Sequence, residues 1–151
     1  MSRSTISRWL TWVSYVFCFF GIYFALSSIQ SDPAEAFKRF AMLAIFPLSF
    51  ISFFRHTLFN GEIVKSASTA ATFFEIEAGG ANLSVALMLL LAYFCQAHLQ
   101  VMCYVVSGYF VYLFVAAISH TLYLSAKSLL QFVPLLACML YFIIKSGLLF
   151  V

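Results

Sequence analysis

Hydrophobic positions along this chain occur in long continuous runs and rarely alternate with polar ones. Residues 9–29 and 40–54 contain no charged side chain, and residues 78–126 contain none either. A helix that crosses a bilayer needs about 20 predominantly apolar residues. The pattern therefore predicts membrane-spanning helices, and its longest uncharged run has room for two of them.

Short polar segments divide these runs into five predicted spans within one all-α domain, an integral membrane bundle covering residues 1–151. The spans are placed at about 9–30, 37–58, 73–96, 99–125 and 129–149. The second span has a short uncharged core with Pro47 inside it. We expect a kink there or thinned lipid, and the bundle has only four spans if this helix merely dips into the interface.

The connections carry their own signals. Asp32 is a candidate N-cap with Pro33 at the first helical position, which predicts a new helix. The polar segment 55–77 contains an Asn-Gly pair and is predicted to be a loop plus a short interfacial helix. The short segment 96–100 predicts a tight turn, so the third and fourth helices should be antiparallel neighbours.

Composition removes the soluble alternative. Hydrophobic residues make up 64% of the chain and charged residues 9%, whereas soluble domains have roughly 45–50% and about 25%. The net charge of +3 comes without a basic run, so we expect no nucleic-acid partner. Trp9, Trp12 and Tyr15 suggest an aromatic interfacial belt at the start of the first helix.

The four cysteines fit buried apolar positions better than a metal site. They form neither a CxxC pair nor a zinc-type cluster with histidine, and a disulfide between helices stays open. The four are Cys18, Cys95, Cys103 and Cys138.

Positive charges suggest an orientation. With the N-terminus inside, the cytoplasmic side holds Arg3, Arg8, Arg55, Lys65 and Lys127. The outer side then holds Lys38, Arg39 and Lys145. This bias predicts a cytoplasmic N-terminus. The first apolar run is longer than the core of a signal peptide, so we interpret it as a retained helix.

Polar side chains inside lipid need a reason, and they concentrate at the start of the third helix. At 100° per residue, one stripe carries Glu75, Gly79, Asn82 and Ala86. A neighbouring stripe carries Glu77, Gly80, Ala81 and Ser84. Two interpretations stay open. In the first, both carboxylates sit at a helix N-terminus and the small residues serve helix packing. In the second, the acidic and amide groups line a cavity that binds a polar ligand or relays a proton.

Two histidines approach the same predicted side of the membrane. His56 ends the second helix and His120 lies near the end of the fourth. A ligand-binding cluster of His56, Glu75, Glu77, Asn82 and His120 is the resulting hypothesis. Bis-histidine haem ligation is one version of it and quinone binding another, although no cofactor is predicted outright. The alternative is that each histidine is simply hydrogen-bonded at the interface.

The start of the third helix resembles a known pattern. The stretch from Phe74 to Leu83 resembles the F-x-x-E-x-G-x-x-N-L signature of small multi-pass bacterial membrane proteins that are broadly DoxX-like. The resemblance covers roughly residues 40–125 and carries no established activity. It implies that His56, Glu77, Gly79 and Asn82 act as one unit.

No catalytic motif accompanies these residues in the sequence, which contains no GxSxG, HExxH, Walker-type or Rossmann pattern. The leading hypothesis is a non-enzymatic accessory or structural subunit of a larger membrane assembly, with other subunits or further copies of itself as partners. The alternatives are a redox-linked protein that binds haem or quinone, and a small oligomeric transporter or channel with Glu77 and Asn82 facing a pore.

Overall fold

The computed structural model describes residues 3–59, 69–123 and 126–148, and all regular secondary structure in these ranges is helical. The five helices are α1 (Arg3–Leu26), α2 (Pro33–Thr57), α3 (Thr69–Phe94), α4 (Leu99–Tyr123) and α5 (Ala126–Ser146). The prediction of an all-α helical bundle is confirmed. Residues 60–68 of the predicted loop and interfacial segment lie outside the described residues.

Four helices contain segments long and apolar enough to cross a membrane: Thr5–Leu26, Pro33–Thr57, Glu75–Phe94 and Leu99–Ser119. At 1.5 Å per residue these segments extend about 30–37 Å, which matches a hydrocarbon core of about 30 Å. The second helix is therefore long enough for a full crossing, and the alternative in which it only dips into the interface loses its basis. The apolar part described for α5, Phe132–Ser146, is shorter.

The irregularity predicted near Pro47 takes the form of a wide turn inside a continuous helix. Helix α2 contains a π-helical segment, Ala41–Ile45, in which the Phe46 N–H donates to the Ala41 carbonyl five residues earlier. Proline has no N–H to donate, and its ring crowds the carbonyl four residues before it. A π turn accommodates this disruption without ending the helix.

The connection from α1 to α2 follows the predicted capping. Pro33 stands at the start of the helix, and the Asp32 side chain accepts a hydrogen bond of 2.9 Å from the Glu35 N–H. The Asp32 N–H donates in turn to the Ser28 carbonyl at 2.9 Å. These bonds satisfy backbone groups that a helix end otherwise leaves unpaired.

Helix α2 lies at the centre of the bundle, against α1, α3 and α5, while α4 packs against α3 and α5. The α2–α5 contact includes the fully buried rings of Phe40 and Phe142, stacked with centroids 4.4 Å apart. The α1–α2 contact is a close backbone approach. A Cβ at Gly21 would lie 2.5 Å from the Ala44 nitrogen and the Leu43 carbonyl carbon, both in the π turn.

The turn between α3 and α4 is tight, as predicted. The Ala97 N–H donates to the Ala92 carbonyl at 2.9 Å, and Gln96 adopts a positive φ of 50°. This arrangement satisfies the carbonyls at the end of α3. The two helices then run antiparallel and in contact, which confirms the predicted neighbour relationship.

Helix α1 is the least enclosed of the four long apolar helices. In its apolar stretch 22% is buried inside the bundle, against 33–39% in the other three. It packs chiefly against α2. Its outer face exposes Trp9, Trp12 and Tyr15, and aromatic side chains continue along it through Phe19 to Tyr23. The predicted aromatic belt is therefore the start of a longer aromatic face.

All four cysteines are free. Cys103 is buried, Cys18 and Cys138 are half-buried, and Cys95 is exposed at the end of α3. The interpretation as buried apolar residues thus holds for Cys103, holds in part for Cys18 and Cys138, which pack against the core, and is wrong for Cys95.

Candidate functional site

The inner stripe of α3, which consists of Glu75, Gly79, Asn82 and Ala86, faces the bundle. Gly79, Asn82 and Ala86 are buried, and the Glu75 side chain is only 14% exposed. The outer stripe, which consists of Glu77, Gly80, Ala81 and Ser84, points away from the bundle, and only Ala81 in it is partly covered. The helical periodicity predicted this separation of the two stripes.

The side chains of His56 and Glu75 are in direct contact between the last turn of α2 and the second turn of α3. The His56 Nδ1 atom contacts the Glu75 Oε2 atom, and the two side chains are 25% and 14% exposed. The carboxylate holds the imidazole ring in place and leaves Nε2 as its other polar atom. This contact joins two helices that the sequence separates by a polar segment.

The predicted grouping of Glu77 with His56 is wrong. Residues two apart on a helix point to nearly opposite sides, so Glu75 contacts the histidine while Glu77 is exposed. For the same reason Glu77 and Asn82 differ in burial within this chain, Glu77 being exposed and Asn82 buried. The helix-dipole explanation of the two carboxylates is also wrong, because α3 already begins at Thr69 and has no acidic residue in its first turn.

Asn82 and Tyr109 form a buried hydrogen bond between α3 and α4. The Tyr109 hydroxyl donates to Asn82 Oδ1 at 2.6 Å, and the Asn82 amide donates to the Ala78 carbonyl at 2.7 Å. Both side chains are almost completely buried. The Tyr112 ring stacks on Tyr109, and its hydroxyl reaches the Ala78 carbonyl at 3.5 Å. Asn82 therefore bonds to a neighbouring helix.

Arg55 completes this group from the last turn of α2. Its Nε atom is buried and has no hydrogen-bond partner among the described residues. The guanidinium is close enough to Tyr109 to interact with it electrostatically, as Glu75 is to Tyr112. These side chains form one polar cluster, which consists of Arg55, His56, Glu75, Asn82, Tyr109 and Tyr112. A buried donor without an acceptor is uncommon and needs an explanation.

The glycine at position 79 lets α2 and α3 approach beside this cluster. A Cβ there would lie 2.5 Å from Thr57 Cγ2 and 3.4 Å from His56 Cβ, so the packing role predicted for Gly79 is supported. Gly80 has nothing within 4 Å of such a Cβ, and Ser84 is exposed. Neither packs on another described helix of this chain, because both lie on the outer stripe.

The polar cluster occupies only one end of the bundle. The buried residues that follow Asn82 on α3 are apolar: Val85, Ala86, Leu89 and Ala92. Asn82 lies seven residues beyond Glu75, which corresponds to about 10 Å along the helix. Among the described residues, the polar cluster therefore extends from the partly exposed His56–Glu75 pair to the buried Asn82 and Tyr109.

His120 lies on α4, but its side chain is outside the described part of the chain, so the bis-histidine haem hypothesis stays a prediction. His56 offers only Nε2 to a metal, because Nδ1 is engaged by Glu75. The described residues contain no group of three or more His, Cys, Asp or Glu side chains placed to hold a metal ion.

Three members of the cluster were not singled out from the sequence as site residues. Arg55 entered only through its charge, and Tyr109 and Tyr112 were among many aromatic residues. The available signal was their spacing. Tyrosines three residues apart share a helix face, and both can meet an amide on an antiparallel neighbour.

We expect the Asn82–Tyr109 bond to contribute measurably to bundle stability. In a double-mutant cycle with Asn82→Ala and Tyr109→Phe, the coupling free energy should be about 0.6–1.7 kcal/mol, the range found for hydrogen bonds between membrane helices. Unfolding in mixed detergent micelles measures it. Tyr104→Phe on the exposed face of α4 is the matched control and should change nothing. A coupling near zero would contradict the assignment.

Comparison of the chain with protein-family models, with curated proteins and with solved structures gives no match.

Proposed function

We propose that this chain is a small multi-pass integral membrane protein that binds the polar head of an amphiphilic, lipid-soluble molecule at the polar cluster. The observation that carries the proposal is the buried Arg55 Nε, a donor without an acceptor among the described residues. Leaving such a group unpaired is unfavourable by about 1–3 kcal/mol, and more when it is charged. An acceptor on a ligand removes this penalty.

The apolar character of the buried residues beyond Asn82 supports ligand binding over conduction. A pore or proton path needs polar groups across the whole membrane, whereas the buried residues beyond Asn82 on α3 are apolar. The transporter and channel alternatives consequently have less support from the described residues.

The proposed orientation places the partly exposed His56–Glu75 pair at the cytoplasmic face. Arg55 and His56 stand at the end of α2, which lies inside if the N-terminus is cytoplasmic. The proposed location remains a bacterial inner membrane. A reporter fused after residue 58 and another placed in the α3–α4 turn would test the orientation, because only the first should lie in the cytoplasm.

The decisive experiment is purification from native membranes in a mild detergent, followed by solvent extraction and mass spectrometry. We expect one amphiphile at close to one molecule per chain, and its loss in Arg55→Gln. Arg39→Gln is the matched control, because it makes the same change at the other end of α2, where Arg39 pairs with Glu35 at 3.1 Å. A wild-type preparation without a stoichiometric amphiphile would remove the proposal.

The same preparation tests the two remaining alternatives. An absorbance spectrum with haem bands, or quinone in the extract, would favour the redox-linked hypothesis. A fixed set of co-purifying proteins would favour the accessory-subunit hypothesis. The feature that supports a partner is the weakly enclosed α1, whose exposed aromatic face offers surface to a neighbouring helix as well as to lipid.

A further inference from the structure

The Arg55 side chain has no anionic partner within the polar cluster, and this indicates the class of ligand head. Glu75 is the one carboxylate of the cluster, and it is engaged with His56. Among the described residues, Arg55 has no carboxylate within ion-pair distance, although its Nε is buried. The Arg55 guanidinium is therefore a cation that no carboxylate contacts among the described residues.

We propose that the ligand head is an oxyanion, either a phosphate or a carboxylate, held by Arg55. This inference rests on the proposed function and specifies its ligand. A guanidinium presents several N–H donors in a fixed plane that matches carboxylate and phosphate oxygens. Basic sites between membrane helices on the cytoplasmic side bind anionic lipid heads in this way.

The neighbours of Arg55 fit an oxyanion better than a second cation. The two tyrosine hydroxyls already donate to Asn82 and to a backbone carbonyl, so they do not offer a carboxylate-like partner to a cation. His56 has Nε2 remaining as a second donor when its ring is protonated beside Glu75. The cluster thus combines a fixed positive group with a second nitrogen, in a setting partly shielded from water.

Partial burial of the cluster increases its preference for a charged ligand head over a neutral one. A hydrogen bond to an ionised acceptor is roughly twice as strong as a neutral one, and partial exclusion of water strengthens it further. A neutral head with the same hydrocarbon chains would gain only the weaker bonds. We therefore expect the anionic amphiphile to bind at least tenfold more tightly than its neutral counterpart, since 1.4 kcal/mol corresponds to a factor of ten.

The test uses purified, delipidated full-length protein and three probes: dioleoyl phosphatidic acid, dioleoylglycerol and inorganic phosphate. Native mass spectrometry measures the affinity of each for the wild type, Arg55→Gln and Arg39→Gln. The expected result is tight binding of phosphatidic acid, weaker binding of dioleoylglycerol, and a loss of about tenfold or more with phosphatidic acid in Arg55→Gln alone. Circular dichroism and detergent unfolding establish that each variant is folded.

The remaining outcomes separate this inference from the proposed function. Equal binding of dioleoylglycerol and phosphatidic acid, both weakened in Arg55→Gln, would overturn the oxyanion and leave the amphiphile site standing. Binding of inorganic phosphate as tight as that of phosphatidic acid, again lost in Arg55→Gln, would support the oxyanion and remove the amphiphile. Equal binding of phosphatidic acid to the wild type and Arg55→Gln would overturn both the amphiphile site and the oxyanion head. A lower affinity for phosphatidic acid in Arg39→Gln would then show that binding is only general attraction to basic residues.

Discussion

Replacement of Gly21 with alanine is expected to destabilise the bundle strongly or to prevent its assembly. The new Cβ would lie 2.5 Å from the Ala44 nitrogen and the Leu43 carbonyl carbon, and 2.8 Å from Ala44 Cβ. Two of these three atoms are backbone, so no side-chain rotation relieves the clash. Helix α1 would have to move away from α2, its main contact in the chain. Overpacking typically lowers stability by about 1–3 kcal/mol, and a backbone clash belongs at or above the upper end.

Gly108→Ala provides the control for this variant. A Cβ at Gly108 meets nothing within 4 Å, and the residue lies inside α4. Alanine favours a helix over glycine by up to about 1 kcal/mol, so this substitution should be neutral or slightly stabilising. Equilibrium unfolding in mixed micelles, with size-exclusion chromatography for assembly, compares the two variants. Similar stability of Gly21→Ala and Gly108→Ala would show that α1 does not approach the π turn closely.

The Gly21 contact also shows which part of the fold was beyond sequence reasoning. Uncharged runs and capping signals predicted the helices, because the physics of crossing a bilayer acts on each segment separately. Pro47 predicted a disturbance in the second helix. The π turn and the glycine that packs on it depend on how two helices meet, and no single-helix pattern contains that information.

The candidate site also has a part that the sequence could predict and a part that depends on how the helices meet. Periodicity placed Glu75, Gly79 and Asn82 on one face, and the structure confirms that this face is buried. Periodicity alone could not choose between Glu75 and Glu77 as the partner of His56, because the choice depends on which side of α3 meets α2. The Tyr109 contact required the register of α3 against α4, which the tight turn sets but the sequence pattern does not reveal.

Helix α5 spans 21 residues with Pro134 inside it. It joins the bundle through contacts with α4 and α2. In the contact with α2, the buried Phe142 of α5 stacks against Phe40 of α2. Association of helices inside a bilayer depends on van der Waals packing, since lipid tails are as apolar as the side chains. The stacked pair should therefore be a principal attachment of α5.

We expect Phe142→Ala to lower the free energy of unfolding, by less than the roughly 3–5 kcal/mol typical of a buried Phe in a soluble protein, because the cavity remains but the transfer from water does not apply. Phe142→Leu should lose less, because it fills part of the cavity. Phe94→Ala is the matched control, since the Phe94 ring is 72% exposed and supports no helix contact. Unfolding in mixed micelles measures all three. If Phe142→Ala is no less stable than Phe94→Ala, then α5 is held by its α4 contacts alone, and the central role of α2 is limited to α1 and α3.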